Sequence, residues 1–137
     1  MDDLSSRAIG AAIEIHRNLG PGLFESIYER LLAAALRAQG LHVKRQAIIT
    51  FHYNGMTFKR AFRADLLVER ELLLEIKSLE TTRPLHKKQL LTYLRLTQKP
   101  LGLVLNFGTE TLRDGLHRVA NNLDPSDSPL LRVNFPD

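Results

Sequence analysis

Residues 72–77 read Leu-Leu-Leu-Glu-Ile-Lys and residues 101–105 read Leu-Gly-Leu-Val-Leu. Each is an apolar run of strand length, and a helical pattern lies between them. Leu85, Gln89, Tyr93 and Leu96 recur at helical spacing, with Thr81 or Thr82 as cap, Pro84 in the first turn and Pro100 beyond the end. A strand, a helix and a second strand in this order imply a parallel crossover within one sheet. The 72–77 run is apolar enough to be buried on both faces.

The segments before it supply the rest of the sheet. Ile48 to Tyr53 is rich in β-branched and aromatic residues, and Asn54-Gly55 follows as a strong signal for a tight hairpin turn. Met56 to Phe62 is the expected return strand and Asp65 to Val68 a third segment. A turn at Glu69-Arg70 or Arg70-Glu71 leads into Leu72–Lys77. Two helices come first. Leu4, Ala8, Ala11, Ile15 and Leu19 mark one over residues 4–17, widened by Ala12 and Ile13. Leu19-Gly20-Pro21-Gly22 breaks it. A second helix is expected from about Pro21 to Gln39, with Gly40 past its end and an apolar face of Phe24, Ile27, Leu31, Ala34 and Ala35. Residues 111–121 read as a short helix or a strand, and Leu131, Val133 and Phe135 alternate as in a late strand or an ordered tail. The order defines an α/β layered domain.

With 137 residues the chain has the size of one domain, expected to span 1–137 with a core at about 5–120 and a tail over 121–137. No apolar run approaches the ~20 residues of a membrane helix. The start Met1-Asp2-Asp3 has neither the basic region nor the apolar core of a secretory signal. There is no cysteine, which excludes disulfides, thiolate zinc sites and cysteine nucleophiles. A cytoplasmic home is the simplest expectation. The formal charge of +4 suits a polyanionic partner without requiring one. Residues 83–99 carry Arg83, Lys87, Lys88, Arg95 and Lys99 and no acid. They form either a solvated helix face or a phosphate-contacting surface.

Three sets of polar residues stand out. Glu75 and Lys77 are two apart, so they share one face of a strand whose other face is Leu72, Leu74 and Ile76. Charges buried there are costly unless paired or bound to something. A hairpin of this length can bring Asp65 beside Glu75, and a divalent cation relieves the repulsion of two close carboxylates. Oxygen ligands without thiolate favour Mg²⁺ or Mn²⁺, and a neighbouring lysine can orient water or stabilise charge on a phosphate. The ordinary alternative is a surface ion pair on an edge strand. Glu25, one turn from Glu29, is either an acid answering the helix dipole or part of a site. Gln89 and Tyr93 lie one helical turn apart and are either a border of the apolar face or a substrate contact.

The segment Gly22-Leu23-Phe24-Glu25-Ser26-Ile27-Tyr28 resembles the signature of the GxxExxY proteins, bacterial members of the PD-(D/E)XK nuclease superfamily. The similarity extends through Gln46, Phe62 to Val68, Glu75-Ile76-Lys77, Gln89 to Leu94 and Gly102 to Gly108, across roughly residues 8–120. It implies a restriction-endonuclease-like αβββαβ core, a mixed central sheet flanked by helices. By that likeness Asp65 and Glu75 are metal ligands, Lys77 is the catalytic lysine, and Glu25 completes the acidic site. Gln89 and Tyr93 match the Gln-x-x-x-Tyr element of RecB-type nucleases. The superfamily's leading Pro-Asp is Ala64-Asp65 here, which leaves the ligand intact. RecB-type enzymes often add an upstream histidine ligand, for which His16 is the candidate. His86 has a weaker claim, and His42, His52 and His117 have none.

The function these residues imply is hydrolysis of phosphodiester bonds, with DNA as the favoured substrate and Mg²⁺ or Mn²⁺ as cofactor. Arg83, Lys87 and Lys88 would join Gln89 and Tyr93 in holding the nucleic-acid backbone. The alternative is a module that uses the same fold to bind nucleic acid, a nucleotide or a partner protein without cutting. Cutting both strands of a duplex needs two sites, which a homodimer would supply, and a small single domain of this kind is expected to depend on an unidentified protein partner if it is not active alone. No recognition helix or groove-reading motif is present.

Overall fold

The computed structural model describes residues 2–122 and 131–134. Helix α1 covers Asp2–Leu19 and α2 covers Glu25–Ala38. Strands β1 (Val43–Tyr53), β2 (Met56–Val68) and β3 (Leu72–Lys77) follow, then α3 (Pro84–Thr97), β4 (Leu101–Asn106), the short α4 (Leu112–Gly115), β5 (Leu116–Ala120) and β6 (Leu131–Asn134). They make one six-stranded sheet in the order β5-β4-β3-β2-β1-β6. The β3–β4 pair is parallel, as the crossover through α3 requires, and the other pairs are antiparallel. Among the described residues no helix is long and apolar enough to cross a membrane.

Alternation along β3 divides the core into two layers. Leu72, Leu74 and Ile76 face α1 and α2, where Ala8, Ala12, Tyr28, Leu32, Ala33 and Leu36 cover them together with Leu103, Leu105 and Phe107. Leu73 faces the other way, with Leu67, Val104 and Val119, beneath Leu90 and Leu94 of α3. Glu75 shares the parity of Leu73, so it lies in the sheet face that α3 covers.

Several sequence expectations need correction. Residues 56–68 form one continuous strand rather than two segments. Helix α2 begins at Glu25, not Pro21. Gly20 and Gly22 have φ of 76° and 107°, so the loop runs past Pro21 in a left-handed conformation before the helix starts. The Tyr28 hydroxyl pins this loop: it donates to the Gly20 carbonyl at 2.6 Å and accepts from the Leu23 amide at 3.2 Å.

The buried face of α2 is Tyr28, Glu29, Leu32, Ala33 and Leu36. The stripe expected to be buried is turned outward, with Phe24 81% exposed and Ile27 and Leu31 also exposed. This helix is apolar on most of its circumference, so spacing alone does not choose the face. The stripe of α1 is likewise rotated, centred on Ser5, Ala8, Ala12 and His16.

Helix α3 is preceded by Arg83, not by Thr81 or Thr82. The Thr82 hydroxyl instead accepts from the Asn106 side-chain amide at 3.0 Å. His86 closes the first turn of α3: its Nδ1 accepts from the Arg83 amide at 3.3 Å, and its amide donates to the Arg83 carbonyl at 3.0 Å.

Residues 111–121 hold both a one-turn helix and a strand, resolving that choice in favour of each in turn. Leu131 and Val133 lie in a strand that pairs with Tyr53 and Phe51 of β1. Phe135 and most of the expected tail lie outside the described residues.

Candidate active site

The β2–β3 register pairs Leu66 with Leu74, Leu67 with Leu73 and Val68 with Leu72. One step further along, Asp65 comes opposite Glu75. The Asp65 carboxylate accepts from the Ile76 amide through Oδ2 at 2.8 Å and from the Gln46 side chain through Oδ1 at 3.3 Å. Gln46 itself sits at φ 51°, a conformation that costs a non-glycine residue energy. Its Nε2 also donates to Glu29 at 2.5 Å. One amide therefore spans two carboxylates. Glu29, only 4% exposed, is in turn paired with Arg45 at 3.1 Å.

Glu75 is buried, 7% exposed. Burial pushes its carboxyl up to about 9, and the charge of Asp65 and a side-chain hydrogen bond with it push the same way, while Lys77 opposes them. Without a further positive charge, Glu75 is protonated at neutral pH. Lys77 is half-buried at the end of β3. Its ammonium holds no ion pair or hydrogen bond among the described residues. The Lys77 carbonyl accepts from the Phe107 amide at 2.8 Å, fixing the end of β3 to the end of β4.

Tyr93 reaches this centre from α3. Its hydroxyl is held above the usual range, first by burial and then by the charges of Glu75 and Asp65. Its ring stacks on Phe62 with centroids 4.0 Å apart and planes 9° from parallel. Gln89, one turn earlier, is exposed on the same helix.

Glu25 stands apart from the carboxylate pair. It is exposed at the first residue of α2. His86 lies within electrostatic reach of Glu25, Lys77 and Arg83, and burial followed by the two cations lowers its pKa while Glu25 raises it. The imidazole is therefore neutral at pH 7. A hydrogen bond from Ser78 Oγ to the Leu23 carbonyl, at 2.6 Å, ties the loop before Glu25 to the residue after Lys77.

His16 is not brought to the carboxylates. It is 6% exposed, its Nε2 is 3.0 Å from the Thr109 carbonyl, and its ring neighbours Phe107. The cavity it lines is shared with Ile13, Arg17 and Glu110 and includes none of Asp65, Glu75 or Lys77. Arg83 and Lys88 are exposed. The pKa of His117 on β5 is lowered first by burial and then by the charge of Lys87, so Lys87 lies within electrostatic reach of β5.

Sequence reasoning gave three residues no role. Glu29 and Gln46 steady Asp65 as described; Gln46 entered only through the family likeness. Asn106 is fully buried, and its Oδ1 accepts from the Leu79 amide at 2.9 Å and the Gly108 amide at 3.0 Å. It holds the loop that leaves Lys77. A polar residue ending an apolar strand was the available signal.

Among the described residues no group of three or more acidic, histidine or cysteine side chains could hold a metal ion. The set Asp65, Glu75, Glu25 and His16 is therefore not assembled as one cluster. The Asp65–Glu75 pair still suits a hard divalent cation. Mg²⁺ is commonly held by one or two carboxylates, with waters and substrate phosphates completing its shell. A carboxyl kept neutral by burial and by its twin is the group such a charge would ionise.

The centre is thus a half-buried Asp65 beside a buried Glu75, with Lys77 at the end of the same central strand as Glu75. The sequence profile of the PD-(D/E)XK nuclease superfamily matches residues 2–119, and the chain belongs to that superfamily. Its mixed sheet between helices is the restriction-endonuclease-like fold. No curated protein and no solved structure matches the chain.

Proposed function

We propose that this chain is a divalent-metal-dependent nuclease that hydrolyses phosphodiester bonds in DNA, of the GxxExxY, RecB-like kind. Membership of the nuclease superfamily supports hydrolysis of nucleic acid. The observation that carries the reading is the placement of Asp65, Glu75 and Lys77 together on the central sheet, with buried Glu75 pushed up to about 9 and the Lys77 charge acting on it.

Asp65 and Glu75 would hold Mg²⁺ or Mn²⁺. When bound, that ion supplies positive charge that polarises the phosphate and lowers the pKa of water. The remaining work falls to the chain. The Ile76 amide and Gln46 fix the Asp65 carboxylate, so its geometry is set before substrate arrives. Lys77 orients the attacking water and answers the charge that grows on the phosphoryl oxygens. Tyr93, braced by Phe62, offers its hydroxyl beside the carboxylates to a phosphate oxygen. Gln89, Arg83, Lys87 and Lys88 contact the backbone further along. Glu25 enters through water or through neutral His86 rather than as a direct ligand.

The test is cleavage of single-stranded, double-stranded and flapped DNA and of RNA in Mg²⁺ and in Mn²⁺, with Lys77→Ala alongside. Metal-dependent cleavage of DNA that falls at least a hundredfold in the variant, with Mn²⁺ binding retained, is the expected result. Wild type and variant equally inert while both bind metal would replace the nuclease with a binding module.

A further inference from the structure

The strand that carries Asp65 does not stop at the site. Residues 56–61 of β2 are exposed one after another, although a strand on a core would alternate. Strand β3 pairs only with Leu66 to Val68, so the β2 edge from Met56 to Asp65 has no strand partner among the described residues. Beyond the carboxylates, β1 and β2 continue as an arm reaching up to about 30 Å at ~3.4 Å per residue, with β6 paired along the far edge of β1 from Thr50 to Tyr53 and the β2 edge left open.

The arm's charge is one-sided. Residues 43–64 include Lys44, Arg45, Lys59, Arg60 and Arg63, and no aspartate or glutamate. Arg45 is taken by Glu29. Lys59, Arg60 and Arg63 are exposed and make no side-chain ion pair among the described residues. Arg60 sits at φ 54°, where the β1–β2 register shifts between Ile49 and Phe51. An irregularity of this kind bends a ribbon and re-aims its side chains.

The arm and the candidate centre are continuous. Phe62 stacks on Tyr93, and Tyr93 lies within the field of Asp65 and Glu75. Along one strand the order is therefore Lys59, Arg60, the Phe62 brace, Arg63 and then Asp65.

We propose that the β1–β2 arm is a binding element for duplex DNA, with Lys59, Arg60 and Arg63 seated on the backbone phosphates flanking the bond presented to Asp65 and Glu75. Strand β6 widens the outer part of this ribbon to three strands, so it is the open β2 edge, close to one turn of B-DNA in length, that meets the backbone. The direction of the strand sets the duplex running outward from the carboxylates. This deepens the nuclease reading and rests on it, but its binding test does not need cleavage.

The experiment measures fluorescence anisotropy of labelled duplex and single-stranded DNA of equal length in EDTA, across a series of KCl concentrations. Wild type is compared with the triple variant Lys59→Gln, Arg60→Gln, Arg63→Gln, and with the charge-preserving Lys59→Arg, Arg60→Lys, Arg63→Lys. The expected result is a duplex Kd at least tenfold weaker in the glutamine variant. Its log–log salt slope should fall by two to three, since each phosphate contact contributes about 0.9. Single-strand binding should change less than threefold, and the charge-preserving variant should behave as wild type. An unaltered duplex Kd and slope would overturn the proposal while leaving the nuclease standing. So would a larger loss on single strands. If the glutamine variant self-associates with its DNA affinity intact, the cations guard an open sheet edge instead. An arm that behaves as expected in a protein whose cleavage ignores Lys77→Ala would sink the catalytic reading and keep the arm.

Discussion

Asp65 stands across the β2–β3 ladder from Glu75, and its Oδ2 accepts the amide of Ile76, the residue that follows Glu75. Burial disfavours the charged form of the Glu75 carboxyl, and the neighbouring Asp65 pushes the same way. Together they raise the Glu75 pKa from 4.5 to about 9.

That arrangement makes folding stability fall as pH rises. In the unfolded chain Glu75 ionises near 4.5, while in the folded protein it keeps its proton to about 9. Between those values the unfolded state binds fewer protons, so each step up in pH favours unfolding. We expect the melting temperature in EDTA to drop by several degrees from pH 5 to pH 8, and Glu75→Gln to remove most of that slope. Thermal scans of both proteins decide it; parallel slopes would refute the assignment.

A cation on the pair must displace the Glu75 proton. Mn²⁺ affinity is therefore expected to rise close to tenfold per pH unit from pH 6 to pH 8, with about one proton released per ion. Calorimetry in two buffers of different ionisation enthalpy counts that proton. Glu75→Gln should bind weakly and release none.

The Phe62–Tyr93 stack is the support on which the Tyr93 hydroxyl rests. Tyr93→Phe should keep stability within about 0.5 kcal/mol, because the ring contact remains. Tyr93→Ala should cost about 2 kcal/mol, from the lost stack and partial burial together. Urea denaturation gives both values. If the hydroxyl contacts substrate, Tyr93→Phe lowers cleavage without lowering stability.

Asn106 is expected to be as sensitive as the carboxylates, for a different reason. Asn106→Ala leaves the Leu79 and Gly108 amides without their acceptor, which should cost at least about 2 kcal/mol. Gly115→Ala should cost more, about 3 kcal/mol or failure to accumulate, since a methyl group there overlaps the Asn106 carbonyl. Yield and denaturation midpoints test the two, with Gly55→Ala at the hairpin turn as a milder comparison.

The parts of the fold that were legible are those with a local cause. Asn54 and Gly55 have φ of 51° and 77°, as their turn chemistry demands, and the β3-α3-β4 crossover follows from two apolar runs around a helical pattern. The parts that were not legible depend on distant packing. Nothing within α2 says that Tyr28 and Leu32, rather than Phe24, Ile27 and Leu31, face inward; Phe107 and the sheet decide that. His16, a candidate metal ligand by family likeness, is instead buried against the Thr109 carbonyl, 93 residues away. At the candidate site, Asp65, Glu75, Lys77 and Tyr93 were visible as polar residues in apolar surroundings. The bridging of Asp65 to Glu29 through Gln46 was not, since it arises from a backbone conformation at Gln46 that spacing does not reveal.

Tyr28 lies on Phe107 with ring centroids 4.4 Å apart and planes 9° from parallel. The Asp65–Glu75 pair is made by a short hairpin, whereas the helix presenting Glu25 completes its seat with a residue 79 positions later in the chain than Tyr28. During synthesis the two acids of the sheet therefore meet early, and the helical wall beside them settles late. Contacts this far apart in sequence are slow to close. A chain halted before Phe107 would carry both carboxylates but lack the aromatic face on which Tyr28 rests.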